Sequence, residues 1–411
     1  MERRVMVTGV GVIAPNALGK EAFNQAIQDG KNGLGLLQKF DTSEHSCHIG
    51  GEIAEFDTTP YFSRKEGRRM DRFTQFAVVT AKMAMDDSGL DLDQENRERI
   101  GVIIGTGIGG ISTFEAQHSK LLDRGPGKVS PFLVPMMIGD MAAGMVSITF
   151  NAKGPNMDIT TACASGTHSI GESFRKIKYG EADIMVAGGA EAPITPLTLA
   201  GFSTMKALSF RNDDPEHASR PFDLNRDGFV MSEGAGMLIL EDFEHARARG
   251  AHIYAEVIGY GGTADAHHMT APSPGGEGAG RSMALALKEA GVNPSDVDYI
   301  NAHGTSTPLN DKLETLAIKS VFGDAARQVK ISSTKSMVGH MLGAAGPLES
   351  VACMLMMEGG FVHPTINYQT PDPECDLYYV PNTAIEHQIT IVLKNSFGFG
   401  GHNASLVFRK I

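Results

Sequence analysis

Four stretches of this sequence set nucleophilic, basic and glycine-rich residues where they could act together. In GPNMDITTACASGTHSIG, Cys163 follows a β-like run (157–161) and precedes a segment with Ile170, Phe174 and Ile177 on one helical face. A cysteine at a helix N-terminus meets unpaired N–H groups and the positive end of the helix dipole, which favour thiolate over thiol. The dipole alone supplies about 0.3–1 kcal/mol, less than one pKa unit, so a nearby imidazole would have to add to it. A free cysteine is more often a small buried hydrophobe, and Cys47, Cys353 and Cys375 read that way. Its context makes Cys163 the candidate nucleophile.

His303 follows a strand and opens HGTSTPLND, at the carboxyl end of a buried strand where α/β active sites collect. Taken alone it fits equally a loop histidine hydrogen-bonded to Thr305 or Thr307. His340 lies in STKSMVGHMLGAAG, read as a helix that Gly339, Gly343, Ala344, Ala345 and Gly346 let pack closely. Lys335, at the start of so buried a segment, needs a partner, for which Glu349 is the candidate; a structural ion pair accounts for part of this pattern in any case. In NSFGFGGHN (395–403) the glycines allow positive φ and let backbone N–H groups approach a ligand, although a plain hairpin would look similar. Phe397 and Phe399 at its tip favour a lid over an apolar channel.

Two other motifs are set aside. GTGIGG (105–110) fits a dinucleotide turn, but no second strand ending in an acidic residue follows it. DLNRDGFVMSEG begins like a calcium loop with Asp223, Asn225, Asp227 and Gly228. Its twelfth position, however, is Gly234, with Glu233 one residue early and Arg226 inside. No metal and no cofactor is expected.

Apolar residues make up 42% of the 411 and charged ones 20%, the balance of a folded chain with a sizeable core. A formal charge of −12 argues against nucleic acid as a partner. The dispersed cysteines read as reduced thiols of a cytoplasmic protein. No export signal and no run of about 20 apolar residues is seen, so no membrane partner is expected.

Strand-like runs at 5–10, 100–104, 183–187, 236–240, 255–260, 298–301, 329–333, 390–394 and 404–408 alternate with helix-like segments at 65–88, 164–179, 280–290 and 311–321. That order predicts largely parallel sheets with helices packed on them. The order also repeats. VMVTGVGVIAP is matched by AEVIGYGGTAD, the passage through Cys163 by KISSTKSMVGHMLGAAG, and GMLILEDF by NASLVFRK. A boundary near residue 250 gives an N-terminal half, 1–250, with the nucleophile and a C-terminal half, 251–411, with the histidines.

TACASGTHSIG, NAHGTSTPLND, STKSMVGHMLGAAG and NSFGFGGHN, in this order and spacing, resemble the elongating β-ketoacyl-acyl-carrier-protein synthases. The likeness covers essentially the whole chain, including VTGVGVIAPNALG and RPFDLNRDGFVMSEGAG. It is nearest the bacterial synthase II type, which carries an isoleucine where GTGIGG puts Ile108. The resemblance implies an α/β, thiolase-like layered αβαβα fold built from two similar halves, and a homodimer. It implies Cys163 as nucleophile, His303 and His340 as its pair, Lys335 as their organiser and Glu349 as the partner of Lys335. The N–H groups of Cys163 and Phe399 would form an oxyanion hole, with Phe399 gating entry. Ile108, Phe202, Thr270, Thr305, Thr307 and Phe397 would contact substrate. His402 departs from the threonine often found there.

The reaction so implied elongates a fatty acid by two carbons, condensing an acyl group on Cys163 with malonyl-acyl-carrier protein and releasing its carboxylate. A ketosynthase of a polyketide or other specialised pathway is the alternative. A thiolase would carry a second cysteine in the FGFGG loop, and a chain-initiating synthase an asparagine in place of His340. An acidic carrier, in acyl and malonyl forms, needs a basic dock. Lys65, Arg68 and Arg69 in RKEGRRMDR, joined by Lys206, are the candidates, although a solvated helix face looks the same.

Overall fold

The computed structural model describes residues 2–411. Ten strands carry the architecture: β1 (Val5–Ala14), β2 (Ile100–Gly105), β3 (Asn156–Ile159), β4 (Ile184–Glu191), β5 (Gly234–Asp242), β6 (Ala255–Ala264), β7 (Tyr299–Asn301), β8 (Lys330–Ser332), β9 (Ile391–Gly398) and β10 (His402–Arg409). β1–β5 lie in the order β3-β2-β4-β5-β1 and β6–β10 in the order β8-β7-β9-β10-β6. β1 and β6 join the two runs through the pairs Val5↔Val257, Met6↔Glu256 and Val7↔Ala255.

Order and sense are the same in both halves. β3, β2 and β4 run parallel, and β4–β5 and β5–β1 antiparallel. Likewise β8, β7 and β9 run parallel, and β9–β10 and β10–β6 antiparallel. The expected repeat is therefore present, but the sheets are mixed rather than largely parallel. In the second half Phe399–Gly401 alone joins β9 to β10, too short for the crossover a parallel pair needs. The first half keeps the antiparallel pair although its connection spans residues 192–233.

Five helices complete the layers: α1 (Arg72–Ser88), α2 (Ser165–Lys178), α3 (Glu277–Ala290), α4 (Pro308–Phe322) and α5 (Ala345–Gly359). α1 covers the outer face of β1, β5 and β4, and α3 covers β6 and β10 with α4 beside it. α2 and α5 lie between the sheets, α2 touching both runs and α5 reaching β5, β4 and β9. α5 is buried from Ala345 to Met357, and Glu349 on it is among the buried residues. Among the described residues no helix is long and apolar enough to cross a membrane.

Two helical expectations fail. The segment 65–88 breaks into Arg64–Gly67, closed by a Ser63/Glu66 capping box, and α1, whose N-cap Asp71 accepts from the Phe73 N–H. His340 is not helical. Lys335–Val338 makes one turn and Gly339, at φ 70°, ends it before α5 begins.

Candidate active site

Cys163 lies in the turn Ala162–Ala164 between β3 and α2, at the helix N-terminus. Ala162 adopts φ 51°, a left-handed step that costs a non-glycine residue about 1–3 kcal/mol. Ser165 Oγ braces it, accepting from the Thr161 N–H at 2.8 Å and donating to the Ala162 carbonyl at 2.6 Å. The small residues that follow are needed by the neighbouring helix. A Cβ on Gly166 would lie 2.3 Å from Pro347, and one on Gly346 2.0 Å from Thr167 Oγ1.

The backbone N–H groups of Phe399 and of Cys163 itself favour the charged form of the thiol. Burial nevertheless pushes the thiol up to about 12, against the opposing Lys335 charge and with Glu191 reinforcing the rise. The resting group is therefore a thiol, and burial outweighs the dipole that a helix N-terminus supplies.

His303 follows β7, its N–H and that of Gly304 each donating to Glu314 at 2.8 Å. His340 is held by its backbone, its N–H on the Val230 carbonyl at 2.8 Å and its carbonyl on the Ser232 N–H at 3.0 Å. The two rings stand edge to face, 5.3 Å between centroids, with Phe397 beside His303 and Phe229 beside His340. Burial first, then the Lys335 charge, holds both imidazoles well below their ordinary range. Both are neutral near pH 7 and each retains one N–H to donate. Thr305 and Thr307 hydroxyls bond to each other at 2.9 Å, which leaves the His303 ring free of the loop contact considered above.

Lys335 donates to the His303 carbonyl at 2.7 Å and pairs with Glu349, as expected. The sequence reading missed Lys394, whose ammonium also reaches Glu349, at 3.0 Å, and bonds Thr167 Oγ1 at 2.9 Å. All three side chains are buried, so the knot is two cations on one carboxylate. A lysine directly after Ile391, Val392 and Leu393 in a buried strand was the available signal. Glu314 and Glu191 were missed as well.

Cys163, His303, His340 and Phe399 line one cavity of about 590 Å³, together with Ile108, Phe202, Thr270, Thr305, Thr307, Phe397 and Lys206. Lys335 and Glu349 are not among its lining residues. Half-buried Phe399 is tied to a neighbouring loop through the Gly400 N–H on the Met269 carbonyl, at 2.7 Å. Lys65, Arg68, Arg69 and Lys206 are exposed, the first three spread over the short helix and the turn after it. Arg69 stacks over the Phe132 ring at 5.0 Å.

Both set-aside motifs have structural occupants. The glycine turn donates the Gly107 and Ile108 N–H groups to Glu191, an anion the chain supplies itself. In the calcium-like loop Arg226 pairs with Asp372 at 2.5 Å and lies 3.6 Å from Asp311.

Residues 2–246 match the beta-ketoacyl synthase N-terminal domain and residues 254–369 the beta-ketoacyl synthase C-terminal domain. The chain belongs to the beta-ketoacyl synthase family. It is 52% identical over 409 residues to the 3-oxoacyl-[acyl-carrier-protein] synthase 2 of Synechocystis, covering 100% of this chain and 98% of that one. Against the protein of the same name from Staphylococcus aureus the identity is 53% over 408 residues, covering 99% and 98%. Among solved structures, a type II PKS acyl-carrier protein in complex with its ketosynthase bound to the hexaketide superposes with TM-score 0.92 at 40% identity, over 100% of both chains. The thiolase-like layering expected from the sequence is thus the fold that this ketosynthase chain shares.

Proposed function

We propose that this chain is a 3-oxoacyl-[acyl-carrier-protein] synthase of the elongating, synthase II type, taking acyl- and malonyl-acyl-carrier protein and no cofactor. The observation that carries the reading is one cavity lined by the Cys163 thiol, by two neutral imidazoles and by Phe399. Cys163 Sγ attacks the acyl thioester, its proton leaves with the carrier's sulfur, and the oxyanion rests on the N–H groups of Cys163 and Phe399. Malonyl thioester then loses carbon dioxide. His303 and His340, each neutral with one ring N–H, donate to the enolate oxygen. The enolate carbon attacks the acyl-Cys163 carbonyl, a carbon–carbon bond forms, the C–S bond breaks, and the released sulfur takes up one proton. Lys335, held by Glu349, fixes the His303 backbone, and Ile108, Phe202, Thr270, Thr305, Thr307 and Phe397 contact the substrates.

Halves 1–250 and 251–411 work as one unit in a cytoplasmic homodimer; the outer edge of β3, unpaired among the described residues, supports the dimer. A ketosynthase of polyketide type is the second reading, favoured by the 40% likeness to such an enzyme. Turnover of simple saturated chains in preference to poly-β-keto chains separates the two. Lys65, Arg68, Arg69 and Lys206 form the carrier dock. Reversing Lys65 and Arg68 to Glu raises KM for carrier-bound substrate and leaves acylation by small thioesters intact; equal loss with both substrates defeats that assignment. The activity is tested by supplying acyl- and malonyl-carrier protein and measuring 3-oxoacyl-carrier protein and carbon dioxide. Absence of both from folded protein rejects it.

A further inference from the structure

Glu191, the last residue of β4, is fully buried and accepts four hydrogen bonds. Its Oε1 takes the Thr106 hydroxyl at 2.9 Å and the Ile108 N–H at 3.1 Å. Its Oε2 takes the Gly107 N–H at 2.6 Å and the Gly343 N–H at 3.0 Å. One carboxylate thereby joins two turns that are far apart in the chain. The first carries Ile108, which lines the cavity and packs with Phe202 on the apolar cluster that contains Cys163 and Leu342. The second, Leu342–Ala344, follows His340 and Met341. The turns meet without room for a side chain, since a Cβ on Gly343 would lie 2.5 Å from the Gly107 nitrogen and 2.9 Å from Glu191 Oε2. Four donors converging on two oxygens fix a backbone more tightly than a packed apolar contact, because each is directional and costly to leave unmade.

We propose that Glu191 is a positioning residue for acyl-chain selection: by clamping the backbone of Gly107 and Ile108 to the turn after His340, it sets how far Ile108 intrudes on the chain carried by Cys163. The proposal rests on the ketosynthase reading, through the placing of an acyl chain on that sulfur. An amide at this position turns an NH2 group toward N–H donors, so Glu191→Gln loses part of the clamp while keeping the side chain's volume. Thr106→Val removes one donor to Glu191, together with the acceptor of the Gly109 N–H at 3.1 Å, and is the gentler variant.

The test is the kcat/KM of acyl transfer to Cys163 for short and long saturated acyl-carrier substrates, in wild type, Glu191→Gln, Glu191→Asp, Thr106→Val and Ile108→Ala. It is run above pH 7, because burial pushes the Glu191 carboxyl up to about 7. Glu191→Gln is expected to change the long-to-short ratio by about tenfold or more, the scale on which a pocket wall discriminates, in the same direction as Ile108→Ala. Thr106→Val shifts it less in that direction, and decides the matter if Glu191→Gln does not fold. Glu191→Asp, which keeps the charge, stays nearer wild type. A uniform loss across chain lengths, or an unchanged ratio beside a shifted Ile108→Ala, overturns the proposal. An unchanged ratio in Ile108→Ala removes the pocket wall on which it rests, and no acyl transfer by wild type at any length would defeat the ketosynthase reading instead.

Discussion

At Ala162 (φ 51°) and at Leu342 (φ 47°) the chain takes the same left-handed step into a three-residue turn and then a central helix. The residue that follows is Cys163 in the first half and Gly343 in the second. Small residues surround the thiol at the first turn. Around the second lie two imidazoles, Lys335, Glu349 and Lys394, and Gly343 itself is pressed against Gly107 and Glu191. Both halves hold the turn at the end of their second strand with a buried carboxylate, Glu191 under Gly107 and Ile108, Glu314 under His303 and Gly304. The repeated backbone supplies position, and the side chains that differ put a thiol on one side and two imidazoles with a buried charge knot on the other.

The charge knot distinguishes the second half most strongly. Removing Glu349 as Glu349→Ala leaves two buried ammonium groups without their shared carboxylate, and is expected to cost about 3–5 kcal/mol. Lys394→Met leaves the Lys335–Glu349 pair and costs less. Urea denaturation of both variants checks the order; equal costs would mean that the knot is not a shared one.

The comparison of turns is sharpened by giving Gly343 a side chain. Gly343→Ala forces a methyl group against the Gly107 backbone, for about 1–3 kcal/mol by overpacking. Thermal unfolding measures it. An unchanged midpoint would show that the two turns are not in contact.

The smallest effect concerns the two carboxylates. Burial pushes Glu191 and Glu314 each up to about 7, from an ordinary 4.5. Folded-state values above the unfolded value mean stability that is fully present below pH 4.5 and lost as pH rises through 7. Cys163 faces Glu191, and Asp311 and Lys335 face Glu314. Glu191→Gln and Glu314→Gln are each expected to flatten part of the decline in unfolding free energy over that window. An identical slope in wild type and both variants contradicts the assignment.

How much of this was legible follows from distance along the chain. Strand runs buried on both faces, and Cys163 at a strand-to-helix step, show in local pattern, and all nine expected strands are present. The break before Asp71 was missed because the caps that make it, Ser63 with Glu66 and then Asp71, are short-range signals within a run of charged residues. Glu191 was invisible as the occupant of GTGIGG because it reaches the turn from another strand, 83–85 residues away. The glycines announced an anion but not whose. Sheet sense was misread since alternation of strand and helix is shared by parallel and mixed sheets, and Phe399–Gly401 as a hairpin decides for one pair only.

The central claim is that Cys163 carries the acyl group between two half-reactions. Intact-protein mass spectrometry after addition of acyl-carrier protein, then of malonyl-carrier protein, tests it most directly, with Cys163→Ala in parallel. The account predicts an acyl mass on wild type alone, mapped to Cys163, that disappears as 3-oxoacyl-carrier protein forms. An adduct on another residue, or an acyl mass that persists while product accumulates, would contradict it.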